Sequence, residues 1–211
     1  MKTALQKARL YGICDLGYLS AEQAIPVSRE LLEGGAGILQ LRAKGHAPEG
    51  LLSLAKELKA LCDEFAVPFV VNDHLELARQ SEAHALHLGQ DDGSLSEARE
   101  TLGRDILIGR STHSLDQAKA ALGEGADYIG FGPLFPTPTK KGRPGIGLEE
   151  IAKMQDAVGS KIPAFCIGGI KPENLDQVLM AGAQRIVIVS HLLTATDVKS
   201  STKAVLKILP N

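Results

Sequence analysis

Eight times along its length the chain passes from a short β-branched or aliphatic run to a longer stretch of helical period, and this alternation constrains the fold more than any motif. The strand candidates are residues 10–15 (LYGICD), 37–42 (GILQLR), 68–73 (PFVVND), 85–90 (ALHLGQ), 105–111 (DILIGRS), 127–133 (DYIGFGP), 163–169 (PAFCIGG) and 185–191 (RIVIVSH). Between them, AEQAIPVSRELLEGG, EGLLSLAKELKALCDEF and LDQAKAALGEG repeat Leu and Ala at three- and four-residue spacing, the period of a helix with one apolar face. One junction recurs as EGGAGILQLR, GEGADYIGFG and MAGAQRIVIV, with SEAHALHLGQ a looser fourth copy. Glycine there suits the left-handed residue that closes a helix, and the alanine lets the next strand tuck beneath it. Strand–helix alternation with right-handed crossovers builds a parallel sheet. Eight such units close into a barrel, whereas a doubly wound sheet needs fewer strands and no G-x-G-x-x-G turn follows the first one. The expectation is an α/β protein, a single (β/α)8 TIM barrel spanning residues 1–211, with residues 1–9 unassigned.

Composition narrows the partners. A formal net charge of -2 leaves no basic footprint for nucleic acid or an anionic membrane. No run of about eighteen apolar residues offers a membrane span, and the start MKTALQKARLYG lacks the apolar stretch of a secretory signal. Cys14, Cys62 and Cys166 are odd in number and widely spaced, without a C-x-x-C pair; they are expected to be buried free thiols in a cytoplasmic, reducing setting.

In such barrels the working face is the carboxyl end of the strands. At strand two, a two-residue period turns Gln40, Arg42 and Lys44 to one side and Leu39 and Leu41 to the other. Inward cations are costly without an anion, so these three predict an anionic ligand; the bland reading is a solvated strand end. Strand three ends on Asn72 and Asp73, and strand four on His87, Gln90, Asp91 and Asp92. Each acid alone reads as a turn former or helix cap. Beside Arg42 and Lys44, however, Asp73 and Asp92 match the mixed demand of Mg2+-bridged phosphate, which takes one or two carboxylates. Strand five supplies Arg110, Ser111 and His113, with Ser114 a natural N-cap; His113 is either an acid–base group or a wall residue, and His74 and His87 read as packing residues. Gly168 and Gly169 after strand seven, with Val189 and Ser190 after strand eight, stand where these barrels hold phosphate; a tight turn is the alternative. After strand six comes FGPLFPTPTKKGRPGIG, whose Pro133, Pro136 and Pro138 fix φ and stiffen the loop. Its later part, residues 141–147, reads as a possible lid.

Taken in order, QLRAK (40–44), VNDHLELA (71–78), HALHLGQDD (84–92), IGRSTHSLDQA (108–118), GADYIGFGPLFPTPTKKG (125–142), CIGGIKPEN (166–174) and VIVS (187–190) resemble the thiamine phosphate synthase family over nearly the whole chain. The resemblance implies a transferase that joins hydroxymethylpyrimidine diphosphate to a thiazole phosphate, releasing pyrophosphate by dissociative displacement with Mg2+. It assigns Gln40, Leu41, Arg42, Ala43, Lys44, Asn72, Ser111 and Lys140 to the pyrimidine diphosphate. Arg42, Lys44, Ser111 and Lys140 would serve catalysis, and Asp73 and Asp92 the metal. Thr137, Pro138, Thr139, Gly169, Val189 and Ser190 go to the thiazole phosphate. The family usually has glutamate where Ala43 stands and often arginine where His74 stands. Phosphorylated small molecules are thus the expected partners. The alternatives are a related thiazole tautomerase, which would use His113 and not need the metal acids, and a non-catalytic thiamine-phosphate binding domain.

Overall fold

The computed structural model describes residues 1–137 and 144–210. Its strands are β1 (Leu10–Asp15), β2 (Ile38–Arg42), β3 (Phe69–Asn72), β4 (Ala85–Leu88), β5 (Leu107–Thr112), β6 (Tyr128–Phe131), β7 (Ala164–Ile167) and β8 (Arg185–Val187). They lie in sequence order in a closed parallel barrel, β8 pairing back onto β1 through Leu10↔Ile186 and Tyr11↔Val187. The intervening helices include α1 (Lys2–Lys7), α2 (Ala21–Glu33), α3 (Leu52–Glu64), α4 (Leu75–Gln80), α5 (Leu95–Leu102) and α6 (Leu115–Gly123). Further on come α7 (Ile151–Met154), α8 (Pro172–Met180), α9 (Ser190–Leu193) and α10 (Val198–Ile208). The expected (β/α)8 barrel is the observed one.

The recurrent junction is a helix closure of one kind. After α2, α4, α6 and α8 the residues Gly35, Glu82, Gly125 and Gly182 take φ of 102°, 52°, 85° and 104°. The next residue, Ala36, Ala83, Ala126 or Ala183, donates its N–H five residues back, to Leu31, Ala78, Ala121 or Val178. This is the Schellman arrangement, which satisfies the last helical carbonyls. The alanines are all buried, since the chain must pass straight into the barrel wall. At the looser fourth copy Glu82 takes the left-handed conformation that glycine takes elsewhere, at a cost of about 1–2 kcal/mol.

Two apolar layers result from the period of two. Leu39, Leu41, Val71, Leu86, Ile108 and Ile129 face the helices, while Tyr11, Ile38, Val70, Leu107, Tyr128 and Phe165 fill the barrel. Leu5 and Ala8 join the inner cluster, so the segment left unassigned by the sequence includes a helix, α1, that plugs the bottom. Tyr128 fits because position 109 is glycine: a Cβ there would lie 2.1 Å from the Tyr128 ring. The three cysteines are buried and unpaired. Among the described residues no helix is long and apolar enough to cross a membrane.

The strands are shorter than the apolar runs suggest. The eighth run reads as residues 185–191, but the ladder stops at Val187 and Ser190 already starts α9. Val189, at φ -107° and ψ -79°, leaves the extended conformation there. The turn brings two residues of the run to the barrel mouth.

Candidate active site

A cavity opens at the carboxyl ends of the strands, and the predicted residues Gln40, Arg42, Asn72, Ser111, Thr137, Gly169, Val189 and Ser190 line it together. They fall on two arcs. The first four come from β2, β3 and β5, and the others from the segments after β6, β7 and β8. Leu41 and Ala43 are buried in the layer between barrel and helices, so their side chains turn away from the cavity. Pro138, Thr139 and Lys140 lie outside the described residues, as does the 141–143 part of the expected lid. Ile146 and Gly147 are hydrogen-bonded to the carbonyls of Pro133 and Leu134, at 2.8 and 3.1 Å.

Asp15, at the tip of β1, was not singled out by sequence, yet it governs the first arc. Its carboxylate is 1% exposed and accepts from Arg42 Nη1 at 2.7 Å and from the Gly17 N–H at 2.9 Å. Its carbonyl also accepts from Tyr18 and Leu19, so one residue closes the β1–α2 turn and fixes a guanidinium. Asp15 shares the inward parity of Tyr11 and Ile13, a signal that could have found it.

At the rim, Asp73 holds φ of 64°, a conformation Asp tolerates better than most residues. Its pKa is raised by burial first and then by the adjoining Asp92 carboxyl, while Lys44, 3.7 Å away, opposes the rise. Asp92 accepts the Gly89 N–H at 2.9 Å, and Ser94 does the helix capping that sequence had offered as an explanation for this turn. Two carboxyls pressed together, with one cation beside them, are a ready ligand pair for a divalent ion. Among the described residues no group of three or more His, Cys, Asp or Glu gathers for a metal.

His87 lines the cavity and is no mere packing residue: Nε2 lies 2.9 Å from Ser111 Oγ and Nδ1 3.3 Å from Tyr128 OH. Tyr128 OH is 3.3 Å from Tyr11 OH, which accepts from Gln40 Nε2 at 2.9 Å. Burial raises the pKa of both phenols, so both keep their protons. Arg110 points outward and ties down the β4 loop through the Gly93 carbonyl at 2.7 Å. His113, just past β5, faces the cavity with its ring held by the Gly132 carbonyl and its main-chain N–H by Gln117 at 2.8 Å. His74 stands at the N-cap position of α4.

On the second arc, Gly168 and Gly169 take φ of 102° and 65°. Their absent side chains let the β6 loop lie directly on β7: a Cβ at 168 would sit 2.4 Å from Pro133, and one at 169 would sit 2.7 Å from Phe135. Leu134 and Phe135 donate to the Ile167 and Gly168 carbonyls at 2.9 and 3.1 Å. The paired glycines therefore shape the pocket by letting two loops stack.

The family described as thiamine monophosphate synthase matches residues 10–192. The chain is 39% identical over 199 residues to the thiamine-phosphate synthase of Shouchella clausii, covering 94% of each. It is 44% identical over 183 residues to that of Bacillus cereus, covering 85% of this chain and 83% of the relative. Among solved structures, the thiamine phosphate pyrophosphorylase from Pyrococcus furiosus superposes with a TM-score of 0.86 at 33% identity, over 98% of this chain and 96% of the other. The family match, the fold and the relatedness along most of both chains agree: this chain belongs to the thiamine monophosphate synthase family of transferases.

Proposed function

We propose that the protein condenses 4-amino-2-methyl-5-hydroxymethylpyrimidine diphosphate with a thiazole phosphate, giving thiamine phosphate and pyrophosphate. One observation carries the reading: a single cavity has the anion-type ligands Gln40, Arg42, Asn72 and Ser111 on its β2–β5 arc and a glycine-bounded loop pair, suited to a second phosphate, on its β6–β8 arc, and Asp73, which follows Asn72, adjoins Lys44 and Asp92. Gln40, Arg42, Lys44, Asn72, Ser111 and Lys140 would hold the diphosphate substrate. Thr137, Pro138, Thr139, Gly169, Val189 and Ser190 would hold the thiazole phosphate.

In the reaction, the bond from the pyrimidine methylene carbon to the diphosphate oxygen breaks, and its electron pair leaves with the pyrophosphate. The thiazole ring nitrogen then donates its lone pair to the methylene cation. Arg42, Lys44 and Ser111, and Lys140 by the same assignment, would stabilise the charge that grows on the leaving group, the interaction that stabilises a transition state selectively. The second arc holds the thiazole for attack, converting an encounter into a positioned step. Ile13, Phe165 and Ile167 make part of the wall apolar and limit water, which would otherwise trap the cation. Asp73 and Asp92 fit Mg2+, which when bound supplies positive charge against the diphosphate oxygens. No residue need form a covalent bond to substrate.

Supplying both substrates with Mg2+ tests the reading: thiamine phosphate and pyrophosphate should appear together. Absence of product at any enzyme concentration would sink it, and isomerisation of the thiazole phosphate alone would favour a tautomerase. The second arc makes its own prediction. Gly168→Ala adds a side chain at φ 102° and against Pro133, so it should cost about 1–3 kcal/mol in backbone strain. The displaced β6 loop should raise KM for the thiazole phosphate by more than that for the diphosphate substrate. Equal changes in both constants would detach this loop from the thiazole site.

A further inference from the structure

The barrel floor contains a continuous line of polar groups, Gln40–Tyr11–Tyr128–His87–Ser111, whose two ends both reach the cavity. We propose that Tyr11, Tyr128 and His87 are positioning residues that form a one-way hydrogen-bond relay, presenting the Ser111 hydroxyl to the cavity as a donor and the Gln40 carbonyl as an acceptor. This deepens the proposed synthase reaction and rests on it for its catalytic meaning.

The direction follows from counting donors and acceptors. An amide nitrogen can only donate, and Gln40 Nε2 lies 2.9 Å from the Tyr11 oxygen. Tyr11 must then place its own proton, and the Tyr128 oxygen stands 3.3 Å away. Tyr128, wholly buried, places its proton on His87 Nδ1 at 3.3 Å. An imidazole that accepts at Nδ1 while neutral carries its proton on Nε2, which faces Ser111 Oγ at 2.9 Å. Ser111 accepts there, and its own proton is left for the cavity.

With His87 neutral, only one other arrangement satisfies every member: the whole line reversed, with Gln40 rotated, His87 protonated on Nδ1 and Ser111 donating inward. Mixed arrangements strand a buried hydroxyl proton, a defect worth about 1–3 kcal/mol. Thus the two ends are complementary, a donor at one requiring an acceptor at the other. The observed amide orientation selects the donor at Ser111. A diphosphate oxygen can only accept, and the pyrimidine amino group can donate to the Gln40 carbonyl, so this orientation serves the substrate at both ends.

The relay is tested by reading the His87 tautomer from long-range proton–nitrogen correlations of the 15N-histidine protein at pH 8, the signal being assigned by its loss in His87→Gln. The free wild-type protein should show protonated Nε2 and bare Nδ1. Tyr128→Phe keeps the ring and removes the donor to Nδ1, so the Nδ1 resonance should shift and the Nε2–H population fall. Tyr11→Phe should leave His87 at Nε2–H. With saturating substrates, Tyr128→Phe should lower kcat about tenfold, the scale of one transition-state hydrogen bond, with KM for the thiazole phosphate changed by less than about twofold. In a Ser111→Ala background the same substitution should cost less than about twofold, because the relay acts through that hydroxyl. Wild-type His87 protonated on Nδ1 would overturn the relay, as would losses from Tyr128→Phe and Ser111→Ala that multiply. The tautomer is read without substrate, so a wild-type protein that makes no thiamine phosphate would overturn the reaction and not the relay.

Discussion

Asp92→Asn is expected to lower Mg2+-dependent formation of thiamine phosphate by about two to three orders of magnitude, the loss that follows when a major electrostatic stabiliser is removed from an active site. The substitution exchanges one oxygen for nitrogen and removes the charge that, with the adjoining Asp73, the proposed Mg2+ site requires. The local fold should survive, because asparagine keeps an oxygen to accept the Gly89 N–H. Circular dichroism melts should therefore superimpose within a few degrees while pyrophosphate release collapses. Asp73→Asn makes a matched comparison, since asparagine tolerates φ of 64° as well as aspartate does. Both variants should need more Mg2+ for half-maximal rate. A wild-type Mg2+ profile in Asp92→Asn would remove this residue from the metal site.

Asp15→Ala should destabilise the protein by about 3–5 kcal/mol, the usual result of removing one partner of a buried ion pair. The Arg42 guanidinium, 13% exposed at its side chain, loses its carboxylate, and the β1–α2 turn loses the acceptor for Gly17. Urea denaturation would register this as a lower midpoint at unchanged slope. Two companions separate the causes. Asp15→Asn keeps an oxygen for Gly17 and should recover part of the turn, leaving a raised KM for the pyrimidine diphosphate because Arg42 is held less firmly. Asp15→Asn combined with Arg42→Met leaves no orphaned charge and should be more stable than Asp15→Ala, though inactive. A double variant no more stable than Asp15→Ala would show that the turn, and not the charge pair, carries the energy.

The two predictions concern residues of different legibility. Asp92 stands in an exposed loop at a strand end, and the expectation of a metal role comes from setting it at the same barrel face as Arg42 and Lys44, which the strand count alone allows. Asp15 also ends a strand, but nothing adjacent in sequence marks it, because its partner Arg42 lies on the next strand, joined through the Asp15↔Arg42 register. The same holds for His87. In isolation a histidine on an apolar strand reads as packing; its role depends on Tyr128 and Ser111, which β4–β6 bring beside it. Tyr11 and Tyr128 are part of aliphatic runs and look like core. Their rings do pack as core, at 6.1 Å between centroids, while their hydroxyls meet.

Local physics wrote the barrel into the sequence. The period-two strands, the period-3.6 helices and the left-handed closures at residues 35, 82, 125 and 182 are each decided within about ten residues of chain. The parity of Gln40 and Arg42 likewise follows from the pleat alone. Tertiary structure decided which side chains complete one another across strands: the Asp15–Arg42 pair, the line from Gln40 to Ser111, and the β6 loop resting on Gly168 and Gly169. Those contacts depend on register and on closing the sheet between β8 and β1, distances that a one-dimensional pattern does not contain.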